Sequence, residues 1–480
     1  MSAVEVRALP GRGRGLVTTR QVEAGEAVLV EEPLLLTVSQ EAKDNACAHC
    51  LCWLERCTGA VRCQACHQAA FCSPQCQQQA AAKPWVHADA TCRAYAQLPL
   101  LLPGDAEGQA SLRFLIQAAG LKHSSGAANS SSAASSCSVG GHEQLSGYAA
   151  LMALVGEPSP AVMAQAAVLQ PALCQALGDA SCSVLSVQEA ASLLAKEAAN
   201  SFGLLAPLGQ QGSGDGTAAG GDAGARVLRG GALYPTCALL NHECLPNVAR
   251  FDALDAAVDG RWPAQWPGQP AAHGSSSSSA GHASSTAVVM RALHALPPGS
   301  EVTLSYFPLH WELRERQAQA QQVYGFTCGC PRCQLEASPE WQQQADDDED
   351  DGSGWETDDG GEDSEAAAGD AADAAGSSSD HDMEESEHQQ QLQLQQLRAA
   401  IRAAAVTAAA AAAAASGTPL QPPEPLDASY LSLFMLKYVC PVQGCFGTMA
   451  ALRGSNACEC SVCGALRSEA EFLAGLEQQG

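Results

Sequence analysis

The chain has 480 residues, 46% of them hydrophobic, with 22 cysteines and a formal net charge of −27. That length allows two or three domains around a sizeable core. The N-terminal MSAVEVRALPGRGRG lacks an apolar leader-like run, and no stretch is long and apolar enough to span a bilayer, so a chain without a membrane partner, in a compartment that keeps thiols reduced, is expected. Nineteen acidic residues and no Lys or Arg fall within Asp346–Glu387, which leaves about −8 for the rest. A broad basic face for direct sequence-specific nucleic-acid binding is thereby excluded.

Residues 11–38 carry two apolar runs, GLVTTR and AVLVEEPLLLTV, on either side of EAGE, and predict strands joined by a hairpin. Nine cysteines then crowd between Cys47 and Cys92. Apolar residues at helical spacing predict helices over 109–122 and 187–199, with a Ser-rich surface loop over 124–138. A Gly-rich insertion (209–224), a Ser run (274–285) and a long acidic, Gln- and Ala-rich tract (341–420) interrupt strand-like runs such as TAVVMRAL and EVTLSYF. The acidic tract reads as a solvated spacer, with docking of a basic partner such as a histone tail as the sharper alternative. The Ala-rich 403–415 has helix propensity but a uniform face.

The first cysteine block contains Cys47-x2-Cys50, Cys63-x2-Cys66, Cys72-x3-Cys76, His87 and Cys92. Eight soft ligands are what two tetrahedral zinc sites need, and in so small a block the metal supplies the folding free energy. Cys52, Cys57 and His67 are surplus, and any one of them could take the place of an assigned ligand. With Phe71 before Cys72 and Trp85 before His87, the block resembles the MYND zinc finger. That resemblance implies interleaved ligands: Cys47, Cys50, Cys72 and Cys76 for one zinc, and Cys63, Cys66, His87 and Cys92 for the other.

Around this block, GRGRGLVTTRQVEAGEAVLVEEPLL (11–35), NSFGLL (200), ALYPTCALLNHECLPNVARF (232), LPPGSEVTLSYFPL (296) and YGFTCGCPRC (324) occur in one order. The series resembles SET-domain lysine methyltransferases, and with the finger inserted after the first motif it looks like the SET-and-MYND family. The implied fold is α+β: a mostly-β SET fold with an inserted MYND finger, a post-SET zinc site and a C-terminal zinc-ribbon-like module. The implied activity is transfer of a methyl group from S-adenosyl-L-methionine to a protein lysine, with histone H3 as the leading substrate class. Other proteins are the alternative substrates, and an inactive zinc-scaffold adaptor is the rival of another kind.

Methyl transfer to an amine is an in-line displacement that depends on alignment and exclusion of water. Gly11, Gly13 and Gly15 permit close backbone approach to a cofactor. The resemblance assigns Arg12, Gly13, Arg14, Gly15, Asn200, Asn241, His242 and Phe326 to cofactor binding, with Phe326 also suited to a channel wall. Pro246 and Asn247 shape the turn, and Glu243 stands where the family usually has Ser. Tyr306 is the expected catalytic residue, its hydroxyl orienting the substrate amine, whereas Phe202 and Tyr234 read as core. The resemblance also makes Cys244 the fourth ligand of a zinc held by Cys328, Cys330 and Cys333.

Towards the C-terminus, Cys440-x4-Cys445 and Cys460-x2-Cys463, with Cys458 spare, suggest one further structural zinc. A similar tail occurs in a plant trithorax-related SET branch. The expected organisation is SET strands (1–46), finger (47–92), helical insert and SET core (93–310), post-SET segment (311–336), linker (337–425) and Cys-rich module (426–480). The finger and the acidic tract are expected partner-binding elements, and nucleus, cytoplasm or both are expected by analogy.

Overall fold

The computed structural model describes residues 2–128, 145, 147–178, 185–206, 226–267, 285–339, 341 and 426–478. Most of the Ser-rich loop, the Gly-rich insertion, the Ser run and the acidic and Ala-rich tract lie outside the described residues. No helix among the described residues is long and apolar enough to cross a membrane. Two compact units emerge, one of residues 1–328 and 435–468 and the other of 329–434 and 469–480.

In chain order, the first unit begins with β1 (Val4–Leu9), β2 (Gly13–Thr18), β3 (Ala27–Glu31) and β4 (Leu35–Val38), then the finger strands β5 (Val61–Arg62) and β6 (Ala70–Phe71). Helices follow: α1 (Pro74–Ala81), α2 (Asp89–Leu101), α3 (Ala106–Ala128), α4 (Gly147–Met152), α5 (Pro160–Leu177) and α6 (Val187–Asn200). The chain then returns to strands with β7 (Ser201–Leu205), β8 (Leu228–Leu233), β9 (Asn241–His242) and β10 (Val248–Asp252). After the short α7 (Ala256–Asp259) come β11 (Val288–Ala292), β12 (Glu301–Leu304) and α8 (Leu313–Gln319).

The expected hairpin around EAGE is not formed. β2 pairs with β1 and β12, whereas β3 pairs with β11, so that turn carries the chain from one sheet to another. The true hairpin is β1–β2, whose turn holds Gly11 and Gly13 at φ of 72° and 73°, the left-handed backbone that glycine adopts without penalty. Three small sheets, ordered β1-β2-β12-β9, β10-β11-β3 and β4-β8-β7, enclose a core that includes Leu16, Val28, Leu36, Tyr234, Met290 and Val302.

The insert is helical, as expected over 109–122 and 187–199, and carries further helices besides. Here α6 starts on a capping box, in which the Ser186 hydroxyl accepts from the Glu189 amide and the Glu189 carboxylate from the Ser186 amide, a pairing that satisfies two otherwise orphaned donors. Its apolar face joins α2, α3 and α5 in a second core with the finger cysteines. α3 runs to Ala128, so Ser124 and Ser125, expected in a loop, sit in its last turns and donate to the carbonyls of Gly120 and Leu121.

The C-terminal Cys-rich segment supplies β13 (Met449–Ala451), β14 (Ala457–Cys460) and β15 (Leu466–Ser468) to the same unit. Glu459 on β14 and Arg291 on β11 form a buried ion pair at 2.6 Å, with Arg291 stacked over Phe251. In the second unit, α9 (Pro331–Glu336) carries an Arg332–Glu336 ion pair at 2.7 Å. The remaining helices are α10 (Ala428–Tyr438) and α11 (Glu469–Gln478).

Candidate active site and metal centres

β9 is only two residues long, yet it lies parallel to β12, with Asn241 beside Thr303 and His242 beside Leu304. Asn247 fixes the crossing by donating its amide to the Glu301 carbonyl at 2.8 Å and accepting from the Thr303 amide at 2.9 Å. The side-chain amide thus stands in for a missing ladder strand. Beyond β12 the backbone amide of Tyr306 donates to His242 Nδ1 at 3.1 Å. That nitrogen must be unprotonated, which leaves the proton on Nε2, 3.3 Å from the Cys244 sulfur. His242 therefore ties together the two segments that the sequence placed in one site.

The Tyr306 hydroxyl donates to the Leu240 carbonyl at 2.7 Å. Burial, reinforced by the neighbouring Tyr324, pushes its pKa up to about 12, so the hydroxyl stays neutral throughout the physiological range. Tyr306, Tyr324, Phe202, Asn200, Leu240 and Arg250 are among the residues around a cavity of about 130 Å³. The rings of Tyr306 and Tyr324 are 4.9 Å apart. Phe326, assigned to the wall by the sequence, lies 5.8 Å from the His242 ring and 6.3 Å from Tyr324. Phe202, read as core, lines the cavity. Tyr324 was missed, although its aromatic YGF context is the signal that could have found it.

On β2, a Cβ at Gly15 would fall against the Leu9 side chain and 2.9 Å from the Asn241 amide nitrogen, so a larger residue there would displace both side chains. Asn241 donates to Glu301 Oε1 at 2.8 Å. Arg12 bridges Glu243 at 2.8 Å and Glu301 at 3.2 Å, which gives the departure at Glu243 a partner. Neither carboxylate was expected to meet Arg12. Arg14 donates to the Ala153 carbonyl, and Asn200 to the carbonyls of Val155 and Lys196. Arg12, Gly13, Gly15, Asn241 and His242 thus share one strand-end cluster, while Asn200 reaches the cavity from the end of α6.

In the first cysteine block, Cys47, Cys50, Cys72 and Cys76 bring their ligand atoms within 4.8 Å of one another, as do Cys63, Cys66, His87 and Cys92. These are the two interleaved sets anticipated. His49, missed from the sequence, places Nδ1 3.2 Å from the Cys76 sulfur; its position between two ligand cysteines was the available signal. Surplus Cys52 and Cys57 face each other at 3.5 Å. In the C-terminal module Cys440, Cys445, Cys460 and Cys463 form another such cluster, and a Cβ at Gly447 would come within 2.5 Å of the Cys460 sulfur. The sulfurs of Cys244 and Cys328 are 3.9 Å apart in the first unit. In the second, Cys330 caps α9 by accepting from the Cys333 amide at 3.4 Å.

The SET domain family matches residues 13–307. The Arabidopsis thaliana histone-lysine N-methyltransferase ASHR2 is 28% identical over 344 residues, covering 70% of this chain and 73% of that protein. Human histone-lysine N-methyltransferase SMYD3 is 24% identical over 338 residues, covering 69% and 62%, so the chain spans less than two thirds of SMYD3's length. Human N-lysine methyltransferase SMYD2 is 28% identical over 104 residues, 22% of this chain and 17% of that one. A crystal structure of the SET domain of LSMT bound to lysine and AdoHcy aligns with 73% of this chain and 60% of its own at 12% identity and a TM-score of 0.28. The matched span exceeds half of the chain and contains β2 to β12 with the Asn241, His242 and Tyr306 crossing, and the protein belongs to the SET domain family.

Proposed function

We propose that the protein is an S-adenosyl-L-methionine-dependent protein lysine N-methyltransferase. The observation that carries this reading is the meeting of β9 and β12, where Asn241 and His242 stand beside a half-buried, neutral Tyr306 at the rim of a small aromatic cavity. S-adenosyl-L-methionine, when bound, supplies an electrophilic methyl group. Arg12, Gly13, Gly15, Asn241 and His242 would hold it, with Asn200, Arg14 and Phe326 the further contacts assigned by resemblance. The Asn241 amide and the Arg12 guanidinium as donors, with the Glu243 and Glu301 carboxylates as acceptors, suit a cofactor with a charged amino-acid end.

The chain's own groups prepare the amine. A substrate lysine, with a reference pKa near 10.4, must be neutral to attack, and a low-dielectric aromatic cavity disfavours its charged form. Because the Tyr306 proton is directed to the Leu240 carbonyl, its oxygen lone pairs remain as acceptors that orient an incoming amine. Tyr324 and Phe202 exclude water from the approach.

Zinc is proposed for the finger as two ions in the interleaved sets, and for the C-terminal cluster as one. It is also proposed for Cys244, Cys328, Cys330 and Cys333, a set supported by the 3.9 Å Cys244–Cys328 spacing and the continuous C-x-C-x2-C run. The metals would be structural, since every position is filled by protein ligands. Histones are the proposed substrates because ASHR2 and SMYD3 are histone-lysine methyltransferases by name, with H3 put first on the sequence resemblance alone; SMYD2's broader name keeps other proteins in view. Nuclear or cytoplasmic residence fits either class, and the finger and acidic tract are proposed as further partner sites. Incubation with labelled S-adenosyl-L-methionine, histone octamers and cell extract tests this reading. Labelled methyl-lysine on H3 is expected; label confined to other proteins would move the substrate away from histones, and no methyl-lysine from a folded sample would overturn the activity.

A further inference from the structure

We propose that Arg250 is a specificity-determining residue for methyl transfer: its guanidinium, in the wall of the substrate cavity, makes that cavity hold lysine as the neutral amine rather than as the ammonium. The proposal rests on the reading of the chain as a lysine methyltransferase.

Arg250 stands on β10, along which side chains alternate in direction. Phe251 turns into the core beneath Arg291, while Arg250 and Asp252 share the opposite face with 3.8 Å between their charged groups. From there the Arg250 guanidinium crosses to β7, donating to the Gly203 carbonyl at 3.0 Å and lying 5.7 Å from the centre of the Phe202 ring. Phe202, Gly203 and Arg250 all line the cavity of about 130 Å³ that also holds Tyr306 and Tyr324. Among the described residues around that cavity, Arg250 is the one that carries a formal charge at neutral pH.

A like charge so placed disfavours the protonated form of an amine that enters. The other titratable groups of the wall do not balance it. Burial pushes Tyr306 up to about 12, holds Tyr324 above its usual range against the pull of Arg250, and raises the Cys237 thiol, so all three are neutral. His242, beside Tyr306, accepts at Nδ1 and is neutral too, and burial keeps the Tyr234 phenol protonated. Arg12, which also acts on Tyr306, is already bridged to Glu243 and Glu301. Arg226, bonded to the carbonyls of Leu205 and Ala206, adds positive charge on the side of Arg250. Asp252 is the countercharge of Arg250, and with both side chains partly open to water it offsets only part of the field.

In the transfer, the lysine lone pair forms the new N–C bond while the C–S bond of S-adenosyl-L-methionine breaks onto sulfur. The positive charge passes to nitrogen, whose proton then leaves to water. A bound ammonium must lose one proton to water beforehand, and that loss is what Arg250 favours. The ammonium bears the full charge and the transition state only part of it, so turnover of bound substrate gains at neutral pH, at the expense of affinity for the ammonium.

The full chain is prepared as wild type, Arg250→Gln, Arg250→Met, Arg250→Lys and Asp252→Asn. Steady-state transfer from labelled S-adenosyl-L-methionine is followed between about pH 7 and about pH 10 on histone octamers, or on the extract protein that wild type labels instead. In both neutral Arg250 variants the midpoint of the kcat profile should rise by about one pH unit, the effect of one like charge at a partly exposed site. Near neutral pH, kcat and KM should then fall together by about tenfold, with kcat/KM held or raised, and at the alkaline end kcat should match or exceed that of wild type. Arg250→Lys should keep the wild-type midpoint. Asp252→Asn leaves Arg250 in place without its countercharge and should lower the midpoint, and it carries the test if the Arg250 variants do not fold. A fall in kcat/KM at every pH, as lost packing would give, or midpoints unmoved by these changes, would overturn the proposal while leaving the methyltransferase reading intact. Wild type that forms no methyl-lysine on octamers or extract would defeat both, and is seen before any variant is compared.

Discussion

The hydroxyl of Tyr306 donates to the carbonyl of Leu240, so the residue expected to touch the substrate amine is held by the strand segment that carries Asn241 and His242. Tyr306→Phe keeps the ring and removes both this bond and the acceptor oxygen. The turnover number should fall by about 10²- to 10⁴-fold, with S-adenosyl-L-methionine affinity little changed, as read by calorimetry beside steady-state rates. With its pKa near 12, Tyr306 should not titrate between pH 7 and pH 10, and the rate should rise over that range as substrate lysine loses its proton.

Arg12 joins Glu243 and Glu301 at a half-exposed position, its side chain 37% accessible. Screening limits such contacts to about 1 kcal/mol or less. Glu243→Ser, which restores the residue usual in the family, should therefore shift cofactor affinity by less than about fivefold. A loss of a hundredfold or more by calorimetry would show that Glu243 contacts the cofactor directly.

The Arg291–Glu459 pair is 4% and 5% exposed. Arg291→Met leaves a buried carboxylate unpaired and should cost about 3–5 kcal/mol in denaturant unfolding. Adding Glu459→Leu should recover more than half of that loss. A single variant as stable as wild type would contradict the buried pairing of β11 with β14.

Burial pushes the Glu197 carboxyl near the end of α6 up to about 7 from 4.5. A raised folded-state value means the native fold favours the neutral acid: its contribution is full below about pH 4.5 and is lost as pH rises through about 7. Glu197→Gln should accordingly be more stable than wild type at pH 8, by roughly 1–3 kcal/mol, and show no gain at pH 4. An equal gain at both pH values would exclude titration of Glu197 as the cause.

Much of this site was legible because its chemistry is written in spacing. The candidate metal ligands fall mostly in closely spaced Cys pairs, and Asn241, His242 and Tyr306 lie in short motifs whose order survives long insertions. Gly15 was singled out for approach to a cofactor, whereas the contacts the structure gives it are with the Leu9 and Asn241 side chains, which the sequence did not indicate. What escaped was set by tertiary pairing. The strands flanking EAGE look like a hairpin locally, but each has a better partner far along the chain in β12 or β11. Ser124 and Ser125 read as loop, yet α3 continues through them, their hydroxyls turned back onto carbonyls one turn earlier.

The most direct test of methyl transfer at the β9–β12 crossing compares labelled-methyl transfer to histone octamers and extract proteins by zinc-loaded wild type, Asn241→Ala and Tyr306→Phe. The predicted result is methyl-lysine formed by wild type and almost none by either variant, with all three equally folded. Equal transfer by all three would place the chemistry elsewhere in the chain and contradict the account.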